Sequence, residues 1–376
     1  MIRRALTLLA FAALIAPSAA PGFTLETIAS VPQARELAMA PDGTLFAGTS
    51  GGDVYVVRAA EGAHPSASIF ASPGDAPAAG VAFANNTLYV GTQHAVWSVP
   101  YHPGQNRAAS APKAIAHVRG GDPPPGSDGD VHTTTSVTAS GNRVYASVGS
   151  SCNACVEIDA SRATVGEIRN GRYDVIAKRI RNAIALAVDE RGSLWASDAG
   201  QDELPPPHPY EFFDNLGARK TPADYGWPVC FENGKHKPGT SASCANVAVP
   251  DVVFPAYETP IGAVFYPANQ RGRYAFPNRF RGGAFVTLHG SWHGPRQGLS
   301  GYLPPRVVFI WMKNARAASA PDWNDPSRQW TDFVAGYQSG GSVQRTGRPS
   351  GIAVGPQGSL FIADDQAGVI YRVRPR

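Results

Sequence analysis

The chain has 376 residues, of which 16% are charged, with 40 glycines, 33 prolines and a formal net charge of +4. So many turn formers beside so few charges describe short strands and tight turns rather than helices coated with Lys and Glu. The charge is small and nowhere clustered, which excludes nucleic acid and an anionic membrane surface as partners.

The N-terminus reads Met1-Ile2-Arg3-Arg4, an apolar run from Ala5 to Ala16, then Pro17-Ser18-Ala19-Ala20. A charged start, a short apolar core and small residues at its end predict a secretory signal over residues 1–20. The run is shorter than the ~20 apolar residues a bilayer span needs, which argues against an uncleaved anchor. No second run of spanning length follows, so no stable membrane span is expected, and the expected location is periplasmic or secreted. The four cysteines agree, because an even count in an oxidising compartment reads as disulfides. Three connectivities are open, and locality favours Cys152–Cys155 with Cys230–Cys244. Val156 follows Cys155 where a c-type haem attachment needs His. A zinc site built from two distant cysteine pairs is less favoured than disulfides outside the cytoplasm.

From residue 21 to 376 one phrase recurs: an apolar strand, a Pro/Asp/Asn/Gly turn, a second apolar strand, then Gly, Ser or Asp. It stands as ELAMAPDGTLFAGT from Glu36, GVAFANNTLYVGT from Gly80 and SVTASGNRVYASVGS from Ser136. It returns as ALAVDERGSLWASDAG from Ala185 and GIAVGPQGSLFIADD from Gly351, while GAFVTLHGSW from Gly283 keeps only the second strand clearly. Short turns between period-2 strands are hairpin signals. Six units of this spacing predict a single all-β domain, a six-bladed β-propeller of four-stranded antiparallel blades closing around a channel. The lone strand Phe23–Ile28 is expected to join the last blade and close the ring. Between units four and five lies a long insertion, about 202–277, rich in Pro, Gly and aromatics. Long loops on a repeat scaffold gather on the functional face, so function is expected at the channel mouth. Phosphate-binding glycine loops, nucleophile elbows, paired-histidine zinc helices and EF-hand loops are absent from the sequence.

The stretches GSSCNAC (149–155), RNAIALAV (181–188), YGWP (225–228), LHGSW (288–292) and GRPSGIAVGPQGSLFIADD (347–365) resemble the quinoprotein glucose/sorbosone dehydrogenases. The resemblance runs over essentially the whole chain after the leader. It implies a six-bladed propeller that oxidises a sugar with pyrroloquinoline quinone (PQQ) and calcium, and passes the electrons to an external acceptor. It further implies His132, at the opening of the third hairpin, as the base that takes the hydroxyl proton. Arg181 and Asn182 match the family's cofactor-contacting pair. Arg348 stands at the first of two arginine positions and Ser350 at the second, while His289 stands where one branch has lysine. Arg35 or Arg345 would compensate if they point inward. For calcium the resemblance implies a main-chain oxygen near Pro206, with Glu211 and Tyr225 as a second ligand set. Asp198, Asp202, Asp364 and Asp365 are read as turn formers.

Two other functions remain open on the same fold. One is a ligand- or protein-binding propeller that has lost the quinone; the other is a metal-dependent lactonase-type propeller, which needs carboxylates converging on the channel.

Overall fold

The computed structural model describes residues 16–120, 131–241, 243–294, 301–339 and 341–376. The expected hairpins are the two inner strands of six antiparallel sheets arranged as blades. Blade one runs Ala34–Met39, Leu45–Thr49, Val54–Arg58 and Ser66–Ala71; blade two runs Gly80–Ala84, Thr87–Gly91, Ala95–Pro100 and Lys113–His117. Blade three is Val137–Ser140, Arg143–Val148, Thr164–Arg169 and Arg172–Lys178; blade four is Leu186–Val188, Leu194–Asp198, Glu211–Asn215 and Val252–Phe254. Blade five is Pro260–Phe265, Ala284–Leu288, Arg306–Ile310 and Trp330–Ala335. In blade six, Pro349–Val354, Leu360–Asp364 and Val369–Pro375 are completed by Phe23–Ser30, paired to the last strand from Phe23↔Pro375 to Ser30↔Val369. The N-terminal strand closes the ring, as expected.

Residues 1–15, most of the expected leader, lie outside the described residues, and Ser18–Ala19 pair with the outer strand of blade five. The stretch 202–277 carries both outer strands of blade four and the first strand of blade five. Its long excursion, 216–251, climbs beside blade three, where Ala223–Asp224 pair in parallel with Ala177–Lys178, before it returns. Both expected disulfides are present: Cys230–Cys244 closes a loop on that excursion, and Cys152–Cys155 closes a tight loop after the third hairpin.

Apolar alternation fills the spaces between neighbouring sheets. Phe23, Tyr266, Phe276, Phe285 and Phe333 pack between blades five and six, and Phe46, Phe70 and Tyr101 between one and two. Near the axis the blades meet backbone to backbone. A Cβ added at Gly80 would lie 2.2 Å from Thr135 O, at Gly262 2.2 Å from Ser350 O, and at Gly351 2.1 Å from Arg35 O. No side chain fits there, which explains the glycine that opens several repeats. The propeller therefore has a constricted end, where inner strands begin and second strands finish, and a far end built of hairpin turns.

Candidate active site

The constricted end gathers loops from blades three, four, five and six. His132 precedes the first strand of blade three, and its Nδ1 lies 2.9 Å from the Ser150 carbonyl oxygen and 3.0 Å from Ser150 Oγ. A carbonyl only accepts, so Nδ1 carries the proton and Nε2 is the unprotonated nitrogen of the neutral ring. Burial, then the Arg181 charge, pushes the imidazole down to about 3, against the hydrogen bond that it donates to the Ser150 carbonyl, so it is neutral. Gly149 makes the arrangement possible: a Cβ there would stand 2.6 Å from the His132 Cβ and 2.7 Å from Asn182 Oδ1. His132 and Asn182 thus converge on one glycine.

Arg181 is 5% exposed and held on four sides. Its Nε donates to Asn153 O at 3.2 Å, Nη1 to Ala199 O at 3.1 Å, and Nη2 to Asn153 Oδ1 and Asp202 Oδ2, each at 3.0 Å. Asn153 sits inside the Cys152–Cys155 loop and also accepts the Asp202 N–H at 2.8 Å. The small disulfide loop therefore presents the side chain that aligns Arg181 and Asp202. On the other side of Asp202, the His293 ring stands with Nε2 3.4 Å from Asp202 Oδ1, stacked on Tyr257 at 4.1 Å between centroids. The main-chain N–H of Asn182 donates to Asp198 Oδ1 at 2.7 Å, and burial pushes that carboxyl up to about 7 despite the bond.

A second cluster joins blades one, five and six. His289 Nε2 lies 3.0 Å from both Asp365 oxygens, and Arg35 Nη1 reaches Asp365 Oδ2 at 2.7 Å. Burial lowers His289 to about 4, so it is neutral and donates Nε2–H. Burial alone would raise Asp365, but His289 and Arg35 hold it well below the usual carboxylate range. Arg348 donates Nε to His289 O and Nη2 to Gly290 O, both at 3.0 Å. Among the described residues no carboxylate is ion-paired with Arg348, and burial pushes its guanidinium down to about 10. Ser350 turns its hydroxyl to Ala34 O at 2.8 Å, and Arg345 is spent on the carbonyls of Ser291 and Leu303 and on Gln338. Of the two arginines expected to compensate, Arg35 joins this cluster.

Of the residues expected at two calcium sites, Pro206 at one and Glu211 with Tyr225 at the other, the latter two are not brought together. Glu211 accepts the Thr259 N–H on the blade-five side of its strand, and burial raises its carboxyl far above the ordinary range. Tyr225 lies on the opposite side: its ring stacks on Phe212 at 5.0 Å and its hydroxyl donates to Asp214. Strand pleating turns neighbours Glu211 and Phe212 to opposite faces, so Glu211 and Tyr225 cannot share an ion in this arrangement. Pro206 lies in an exposed turn closed by His208 N to Pro205 O at 3.1 Å. Among the described residues the one compact group of potential metal ligands is Cys152, Cys155 and Glu157, and there the sulfurs are already joined to each other.

Sequence reading missed Asn153, His293 and the ion-pairing of Asp202 and Asp365. The aspartates resemble turn formers in sequence, and only the closed ring brings Arg35 to Asp365, 330 positions apart.

Residues 230–376 match the model of the TrAA12-like family. No curated protein matches the sequence. Among solved structures, the holo pyranose dehydrogenase PQQ domain from Coprinopsis cinerea has a TM-score of 0.78 at 16% identity, covering 96% of this chain and 97% of that one. The Trichoderma reesei carbohydrate-active enzyme of family AA12 has a TM-score of 0.77 at 17% identity, covering 96% and 98%. The PQQ-bound aldose sugar dehydrogenase from Streptomyces coelicolor has a TM-score of 0.61 at 15% identity, covering 95% and 99%. At these identities the likeness is one of fold. The resemblance to quinoprotein sugar dehydrogenases read from the sequence is the one that both comparisons return.

Proposed function

We propose that this protein is an exported, PQQ-dependent sugar dehydrogenase with His132 as its general base. The observation that carries the reading is the His132 imidazole. Its Nδ1–H is committed to Ser150, burial keeps the ring neutral, and Arg181 and Asn182 stand beside it. PQQ, when bound, supplies a planar quinone that accepts a hydride and carries three carboxylates. The residues present suit such a group. Arg35, Arg181 and Arg348 bring three guanidinium groups against two carboxylates, Asp202 and Asp365, which leaves the cluster cationic. Arg348 is a buried cation that, among the described residues, makes no side-chain ion pair of its own, and an arriving carboxylate would stabilise it by charge-assisted hydrogen bonds. Arg181 and Asn182 would hold the quinone beside the base, and His289 would donate a hydrogen bond only by leaving Asp365.

His132 in this reading takes the proton of the sugar hydroxyl as the C–H hydride departs. Electrons leave to a separate acceptor, since the sequence has no haem attachment motif. Two disulfides support an oxidising compartment. The calcium requirement has no ready set of ligands among the described residues, and no step is assigned to the ion. The reading is tested by aldose-dependent dye reduction with quinone-loaded protein. His132→Ala should lower kcat by roughly 10²–10⁴-fold with cofactor affinity unchanged; full activity in that variant would remove His132 as the base.

A further inference from the structure

At the centre of the ring stands a carboxyl that the proposed chemistry does not use. The six inner strands enclose an axial cavity of about 380 Å³, lined by Leu37, Val81, Val137, Ile184, Ile261 and Ile352 among others, and opening at the hairpin end. Exposure along the inner strands rises in that direction: in blade three Val137 is buried, Thr138 and Ala139 are half-buried and Ser140 is exposed. Blade five shows the same gradient from Pro260 to Phe265. At the constricted end the channel narrows to a second cavity of about 10 Å³, room for roughly one water. Glu36, with Ile184, Ile261 and Gly351, lines both cavities, and it is the titratable residue common to the two.

Its carboxyl accepts the Val81 N–H at 3.1 Å and the Val137 N–H at 3.4 Å, together with the Ser136 hydroxyl. These donors belong to blades two and three, so Glu36 bridges the open edges of two neighbouring inner strands. The groups facing it from the other blades are the apolar Ile184 and Ile261, and Ser350 with Gly351. Arg35, on its own strand, is the one charged residue lining the small cavity, and its guanidinium is turned to Asp365 at 2.7 Å. Burial therefore pushes Glu36 up to about 8, even against its three hydrogen bonds and the Arg35 charge. The segment 132–136 leads from the candidate base to this carboxyl: Thr134 lines the small cavity and Ser136 bonds Glu36 directly.

We propose that Glu36 is a proton relay that carries the proton released at the constricted end into the axial channel, and through it to solvent at the far end. The proposal rests on the dehydrogenase reading. In each turnover the Glu36 carboxyl O–H breaks toward channel water, and the carboxylate so formed takes up the proton that left the sugar hydroxyl for the base and arrives by way of the small cavity. A new O–H bond forms at Glu36 as the donor's bond breaks, so the neutral carboxyl is restored and no electron moves through it. A route through the axis frees the mouth to stay covered by substrate or acceptor while protons leave behind it.

The first test is spectroscopic and needs no cofactor. Infrared difference spectra of wild type against Glu36→Gln should contain a protonated-carboxyl C=O band at pH 6 that is gone at pH 10; absence of that band at pH 6 would overturn the proposal. The second uses quinone-loaded protein with an aldose and an artificial acceptor. Glu36→Gln should lower kcat about tenfold, raise the solvent isotope effect and flatten the pH profile, with KM and cofactor affinity unchanged. Glu36→Asp should recover part of the loss. Should Glu36→Gln fail to fold, Ala263→Phe, which narrows the channel beyond Glu36, should produce the same isotope effect. A merely bridging role for Glu36 would leave isotope effect and pH profile at their wild-type values, and that result overturns the relay. Wild type that binds no quinone removes the dehydrogenase reading itself, whereas wild-type turnover matched by Glu36→Gln removes the relay alone.

Discussion

The two ends of the propeller are built from the same six hairpins and differ in almost everything else. The far end is a set of short turns stabilised within a few residues, as where Asp189 accepts the N–H groups of Arg191 and Ser193, each at 2.9 Å, and Trp195 Nε1 at 3.1 Å. The constricted end is a set of long loops whose polar groups find partners far along the chain, several across blades: Arg181 on Asp202 and Asn153, Arg35 on Asp365. Bonds within a turn shape each far-end hairpin, and single contacts such as Tyr101 on Asp42 and Asn85 on Gly141 join neighbouring turns. Long-range bonding makes the other end dependent on ring closure, and concentrates buried charge where chemistry would use it.

Replacements on each side of this contrast should behave differently. The largest effect is expected at the axis, where Gly351→Ala would drive a Cβ to 2.1 Å from the Arg35 carbonyl oxygen, backbone against backbone. Thermal unfolding should show a loss of more than about 3 kcal/mol, or no folded protein, from a single methyl group. Arg348→Ala comes next. It should weaken PQQ binding roughly 10–100-fold, as expected for a lost charge-assisted hydrogen bond, while the burial cost removed with the cation offsets the His289 and Gly290 carbonyls left without its donors, so stability should change little. Asp189→Ala should do the reverse, costing about 1–3 kcal/mol of stability through donors left unpaired, with cofactor affinity at the wild-type value.

The last effect is a pH dependence. Glu36 titrates near 8 in the folded protein, above its ordinary 4.5, so its contribution to stability is full below pH 4.5 and is lost as pH rises through about 8. Wild type should therefore match Glu36→Gln in melting temperature near pH 4.5 and fall below it by pH 9. A constant difference across that range would show that Glu36 does not titrate there.

How much of this was legible in the sequence follows the same divide. Each hairpin declares itself within about 15 residues, because alternation and turn chemistry are local, and the closing strand Phe23–Ser30 alternates in the same way. Both disulfides were legible because each spans a short loop. The outer strands of blade four were hidden, since Asn215 and Val252 are separated by an excursion that climbs beside blade three. His132, Arg181 and Asn182 could be named from the family resemblance, which sets them at the openings of repeats. Their partners could not: Asn153 serves Arg181 only because a disulfide loop turns it inward, and Glu36 becomes an axial carboxyl only when six blades close around it. Glu211 and Tyr225 look like a ligand pair in sequence, yet the pleat and the excursion set them on opposite faces of one strand.

The central claim is most directly tested by calorimetric and spectral titration of the purified protein with PQQ, with and without calcium. The account predicts one cofactor per chain with submicromolar affinity, weakened by Arg348→Ala and retained by His132→Ala. No binding at micromolar cofactor, in either the presence or the absence of calcium, would contradict it.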